Sequence, residues 1–357
     1  MKKIYLFLIL ISFNSCKKEK DEVSIEIKND RLEFQLKGDV QKVVTEYLYE
    51  NIDMSPLNIR FAKERNEEKT FDRGGRLTSH TTFHENGSIF EKRVYNGKSK
   101  LEEYHQFLNG NLFSITKYTW DEDHNNTIIT KRDAEGNIID KTINVFRNNQ
   151  LVEKRNLRNK GTQLDQKITY EYDSEGIKTM ELKYDRNEQL KSITKFVYNE
   201  KGLLISEVKS DPMGSYNIQS DYEYDVFDRL VYTMNHSNTS TLAVYEEMKE
   251  YDDKGNLLLV KITDHAANET FSEIFKYDEK QNAIEIRTYS NEELKRVIEN
   301  LYNENGLLVE SKTINNDNRA QGTFNEYTFD AQGNWKTKKV SIDGILVYQI
   351  NRTITYF

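Results

Sequence analysis

One phrase recurs along this chain: two aromatics spaced by one residue, then Asp or Asn, usually with Gly three positions later. Tyr170 and Tyr172 precede Asp173 and Gly176, and Tyr327 and Phe329 precede Asp330 and Gly333. The aromatics directly before the turns are Phe71, Tyr95, Trp120, Phe146, Tyr172, Tyr198, Tyr224, Tyr251, Tyr277, Tyr302 and Phe329. They are separated by 24, 25, 26, 26, 26, 26, 27, 26, 25 and 27 residues. So steady a period over most of a chain marks a repeat architecture, in which each unit buries its apolar side against the next.

The turn chemistry says what one unit is. Asp173 to Gly176, Asp252 to Gly255 and Asp330 to Gly333 share the form Asp-x-x-Gly, and Asn199 and Asn303 open the same turn with an amide. Asp or Asn accepts a hydrogen bond from the backbone two residues on, and Gly takes the left-handed position that closes the loop. That is a type I turn with a glycine bulge, a common hairpin connection. A second, more varied turn follows about twelve residues later, as at Asn109-Gly110 and Asp343-Gly344. One unit is therefore strand, turn, strand, turn. Each strand has about eight to ten residues and is roughly 30 Å long.

Within the strands the residues alternate. Ile168, Tyr170 and Tyr172 point one way and Lys167, Thr169 and Glu171 the other. A period of two with one apolar and one charged face specifies strands, not helices. Hydrophobic residues make up 36% and charged residues 31% of the 357, with 22 tyrosines, so the chain can cover one face of a sheet but not two. Abundant aromatic and β-branched residues and only two prolines argue against disorder.

The tyrosine-aspartate pairs at Tyr172-Asp173, Tyr224-Asp225, Tyr251-Asp252 and Tyr277-Asp278 resemble the RHS/YD-repeat family, as does YDVFDRL from Tyr224 to Leu230. The resemblance covers roughly Phe71 to Phe357. It implies tandem antiparallel β-hairpin repeats joined into one long twisted or curled sheet, an all-β fold. Large members of that family wrap into a shell around a toxin segment. Eleven repeats are too few for such a shell, and the proline-rich motif that precedes the toxin is missing here, so encapsulation is not expected. Residues 24–70 are less regular. Leu36 to Glu50 alternates through Val43, Thr45, Tyr47 and Tyr49 and reads as a strand of a capping hairpin, with Asn51 to Asn58 as its loop.

The chain opens with Lys2 and Lys3, a ten-residue apolar run from Ile4 to Phe13, and then Cys16, its only cysteine. As a helix that run reaches only ~15 Å, half the thickness of a bilayer core. It has the proportions of a signal h-region. The layout resembles a bacterial lipoprotein signal, which implies signal residues 1–15, lipidation of Cys16 and a membrane partner through that lipid. Phe13 and Asn14 depart from the usual residues before the cysteine, and an ordinary signal peptide with a chance cysteine is the alternative. Lys17 to Glu22, KKEKDE, is similar to the tract that sends Bacteroidota lipoproteins to the cell surface; it also reads as a solvated tether over 16–23. The resemblance implies an outer-membrane lipoprotein, surface-exposed or facing the periplasm. Cleavage removes Lys2 and Lys3 from 51 basic residues, leaving 49 against 59 acidic and a net charge of −10. Such a chain offers no basic face for nucleic acid.

No motif points to catalysis. His80 and His84 are four apart, but they lie in a hairpin pattern with no glutamate after His80. The run from Asp121 to Asn126 starts like a calcium loop and then fails, with Asn126 in place of glycine and Arg132 in place of glutamate. The expectation is a protein without cofactor or metal that is not an enzyme. It would act as an interaction scaffold toward an envelope or extracellular protein. The alternatives are polysaccharide binding, with Tyr222, Tyr224, Tyr251 and Tyr277 as stacking aromatics, and association with an RHS-type toxin system.

Overall fold

The computed structural model describes residues 29–50, 64–237 and 245–357, apart from the single positions 124, 216 and 318. The signal and tether expected at 1–15 and 16–23, Cys16 included, and the loop expected at 51–58 lie outside the described residues. Within them the chain is one four-residue helix, α1 (Asp30–Glu33), followed by strands numbered in chain order from β1 (Val40–Tyr49) to β24 (Ile345–Tyr356).

Local chemistry builds each hairpin as the sequence predicts. Asp173 Oδ1 accepts from the N–H groups of Glu175 and Ile177, both at 2.9 Å, and Gly176 closes the turn at φ +83°. Asp252 repeats the arrangement with Lys254 and Asn256, and Gly255 sits at +88°. Next to each such turn the ladder slips by one residue, as where Tyr172 pairs with Lys178, Tyr251 with Leu257 and Phe329 with Trp335. A bulge bends its strand and increases the twist. One bulge per hairpin is a regular source of curvature.

That curvature closes the sheet. Every strand pairs antiparallel with the next, and the last returns to the first: β24 pairs with β1, joining Val43 to Ile354, Thr45 to Arg352 and Tyr49 to Tyr348. On its other edge β1 pairs with β2 (Glu67–Phe71) through Val43–Lys69 and Thr45–Glu67. The result is a closed antiparallel barrel of 24 strands. This corrects the expectation of a long twisted or curled sheet, and also the inference that so few repeats could not close. The described residues hold twelve hairpins, and Tyr356 at the end of β24 is the twelfth marker. Closure leaves no row of unpaired N–H and C=O groups at an edge.

The register gives the size. Directly opposite residues run from Tyr222 through Thr233, Glu247, Ile262, Phe271 and Ser290 to Glu293, crossing from one rim to the other in six steps. Such a drift corresponds to a strand tilt of about 40°, the usual range for barrels. At that tilt, 24 strands spaced ~4.8 Å apart enclose a circle of roughly 48 Å backbone diameter.

The marker aromatics face inward. Ser114, Thr116, Ser192, Thr194 and Thr288 lie on their side of the sheet and are buried, whereas Leu48, Phe113, Val197, Leu301 and Phe324 lie on the other and are exposed. Helix α1 is seated on the inner face, with Phe34 6.0 Å from Phe71, ring to ring. The apolar core sits there too, in Leu36, Val40, Val43, Phe71 and Leu77 with Tyr95, Ile354 and Tyr356 against it. Asp30 locks the helix in place by accepting from Leu77 N at 2.6 Å and Ser99 Oγ at 2.8 Å, and Arg31 donates to the carbonyl of Asp72. Elsewhere most inward side chains, Lys183 and Glu207 among them, are only half-buried. The interior is a solvated lumen.

Candidate functional site

The lumenal wall has two layers. Around one rim stand the marker aromatics, whose polar ends are tied to the wall. Tyr172 donates to the carbonyl of Leu151 (2.6 Å), Tyr224 to Leu204 (2.8 Å), Tyr251 to Leu230 (3.2 Å) and Tyr277 to Leu257 (2.8 Å). Trp120 makes the same reach, Nε1 to Leu101, at 2.8 Å. Each ring thus clamps its own hairpin to the preceding one, and the hydroxyl satisfies a carbonyl at a strand start. Tyr222, Tyr224, Tyr251 and Tyr277 all lie on this wall, half-buried, and burial raises the pKa of all four hydroxyls above the ordinary tyrosine value. They are not sealed beneath other strands. Three of the four hydroxyls are engaged in holding the barrel.

The second layer is a polar belt at mid-height. Tyr104 donates to Glu91 (2.6 Å), which also pairs with Arg93 (2.7 Å), and Ser114 donates to Gln106 (3.0 Å). Its densest part is the seam where β24 meets β1 and β2. Thr45, small and buried, leaves Arg352 and Glu67 facing each other across it. Burial pushes the Glu67 carboxyl up, but hydrogen bonds from His80 (2.8 Å) and Lys69 and their charges outweigh it and bring it down to about 2. Burial pushes Tyr47 up to about 12, with Glu67 and Glu64 adding to the effect. Burial lowers Arg352 to about 10, and its guanidinium lies 3.4 Å over the Trp335 ring.

At the rim opposite the marker aromatics, two adjoining grooves of about 500 and 510 Å³ share Arg65 and Glu85. The first is lined by Tyr47, Tyr49, Glu64, Asn66 and Phe83, the second by His84, Asn86, Ser88 and Asn109. Arg65 stacks 3.7 Å over Phe90 and donates to His84 Nδ1 at 3.3 Å, depending on the ring's tautomer. His80 and His84 are therefore apart in role, one on Glu67 at mid-wall and the other at a turn. Asp121 accepts from Asn125 N at 2.8 Å, so the run that starts like a calcium loop makes the same aspartate turn as the other hairpins.

The seam cluster of Glu67, Lys338, Trp335 and Arg352 is not among the residues singled out in the sequence. Its one local signal is a charged residue, Arg352, at an inward position of a strand whose other inward residues are Tyr348, Ile350, Ile354 and Tyr356.

No family model matches the chain, and no curated protein matches it. Among solved structures it is similar to a Photorhabdus luminescens Tc holotoxin pore (TM-score 0.43, 11% identity, 82% of this chain and 20% of that one). It is also similar to the TcdB2-TccC3-Cdc42 structure (TM-score 0.32, 11% identity, 80% of this chain and 22% of that one). A porin-like protein from Bacteroides uniformis follows at TM-score 0.27 and 10% identity, covering 88% of this chain and 98% of that one. This chain spans about a fifth of the length of the toxin chains it matches.

Proposed function

We propose that the chain is an RHS/YD-type repeat protein of the bacterial envelope, anchored by a lipid on Cys16, whose barrel is a non-catalytic binding scaffold. One observation supports the scaffold reading: charged side chains interrupt the outward face of the closed wall, between exposed apolar ones such as Phe113, Val197 and Leu301. Lys117, Lys195, Glu223, Glu250, Lys276, Glu299 and Glu326 stand exposed on the outward face of seven strands. A bilayer-spanning barrel carries an apolar outward band, and each Lys at its midplane costs ~2–4 kcal/mol. On this reading the barrel stands in water and the lipid on Cys16 is its anchor. From Cys16 to Asn29 the chain reaches at most ~45 Å.

Labelled palmitate tests the anchor. Incorporation that is lost in Cys16→Ser is expected, and incorporation unchanged by the substitution would overturn it. Affinity recovery from intact cells identifies the partner, and protease accessibility separates surface exposure from a periplasmic face.

A second reading, polysaccharide binding, is favoured by the lumenal placement of Tyr222, Tyr224, Tyr251 and Tyr277 and by the parallel rings of Tyr47 and Tyr49 (6.4 Å, 13°). A glycan array probed with the full-length protein tests it, and retention of no polysaccharide removes it.

A further inference from the structure

Lys338 and Arg352 project from neighbouring strands into the lumen at the seam, since Lys338 lies opposite Ile350, two residues from Arg352. Among the described residues neither side chain has an ion pair or a hydrogen bond. Instead each rests on an aromatic ring, Arg352 3.4 Å over Trp335 and Lys338 Nζ 5.7 Å from the centroid of Tyr327. Arg352 Nε is buried without a partner. Glu67, the carboxylate that faces Arg352 across Thr45, is already bonded to His80 and Lys69. Burial, with Arg352 adding repulsion, holds Lys338 below the usual lysine value. Two desolvated like charges side by side are costly unless an anion joins them. The rings fix the position of the cations, and among the described residues the one carboxylate that opposes the charge of Arg352 is Glu67, already shared with His80 and Lys69.

Beside this pair, Tyr47 and Tyr49 form a parallel stack, with Tyr348 5.5 Å from Tyr49 and tilted 43° to it; Tyr47 and Tyr49 also line a groove of about 500 Å³. An aromatic surface next to a cation pair suits a pyranose that offers a C–H face and a carboxylate on its edge. A carboxylate suits the guanidinium fork, and a monoanion meets less repulsion from Glu67 than a phosphate dianion would.

We propose that Lys338 and Arg352 form a lumenal receptor for the carboxylate of an acidic saccharide, with Tyr47, Tyr49 and Tyr348 as its stacking surface. The proposal rests on the polysaccharide reading and narrows it to uronic-acid glycans bound at the seam.

The chain has two tryptophans, so Trp120→Phe leaves Trp335, under Arg352, as the fluorescent reporter. Full-length protein with that substitution is titrated with hexagalacturonate, its methyl ester and hexaglutamate. The expected result is saturable binding of hexagalacturonate that is about tenfold weaker for the methyl ester, and about tenfold weaker in Lys338→Met and in Arg352→Gln. An unchanged urea midpoint for Lys338→Met shows that the loss is not unfolding. Equal binding of the methyl ester overturns the role of the cation pair while leaving the polysaccharide reading intact. Parental affinity in Lys338→Met does the same. Binding of no glycan ends both, and hexaglutamate binding as tightly as hexagalacturonate reassigns the pair to an acidic peptide and overturns the saccharide.

Discussion

At the scale of single residues, Glu67 is held at the seam by His80 and Lys69, both bonded to its carboxylate. The alternation of β10 (Gln163–Tyr172) puts Tyr170 and Tyr172 on the inner face, where they lie. Glu67 has the same legibility, and nothing local says that His80 and Lys69 will hold it. Because its pKa in the folded protein lies below the unfolded value of 4.5, its stabilisation is complete above that value and is lost as pH falls towards about 2. A depression of this size corresponds to roughly 3 kcal/mol. Glu67→Gln is accordingly expected to lower unfolding stability at pH 7 by about 2–3 kcal/mol, with the gap from wild type closing between pH 4.5 and 2. Urea titrations across that range check it, and a gap independent of pH would refute the ion-pair account.

At the scale of the hairpin, the turns were legible because their determinants lie within five residues. The glycine position is left-handed in every turn of the Asp-x-x-Gly form, and other residues sometimes occupy the equivalent place, such as Glu188 (φ +57°), Asp228 (+63°) and Gln281 (+67°). These carry strain that glycine does not. Gln281→Gly should therefore stabilise the protein by roughly 0.5–1 kcal/mol and Gly255→Ala destabilise it by about 1 kcal/mol. A Cβ at Gly255 meets nothing within 4 Å, so strain alone acts there. At Gly75 a Cβ would come within 2.2 Å of Asn29 Oδ1, the N-cap of α1, so Gly75→Ala should cost more than Gly255→Ala. Thermal melts of the three variants test the order. The glycine bulge of each turn was legible in the same way; the slip one pair further along, where Glu171 faces Met180 but Tyr172 faces Lys178, was not, because it depends on the partner strand.

At the scale of the whole molecule, β1 decides the architecture. Alternation alone identified it as a strand and suggested a cap, yet it stands between β2 and β24 and completes the wall. Val43, 4% exposed, lies at the middle of that seam. Proline there removes a ladder hydrogen bond and cannot sit in a central strand. Val43→Pro is expected to open the barrel and expose the edges of β2 and β24, so that the protein self-associates in size-exclusion chromatography. A monomer with the wild-type elution volume would show that closure does not depend on β1.

The amino-acid order by itself determined the hairpin, its turns, the period and the inward parity of the aromatics, since each is settled by residues close together in the chain. Closure, the solvated lumen and the meeting of Arg352 with Trp335 and Glu67 were decided only in the tertiary structure. Tilt and bulge accumulate over 24 strands before the two ends meet, and the pairing of Val43 with Ile354 joins opposite ends of the chain, beyond the reach of any local pattern.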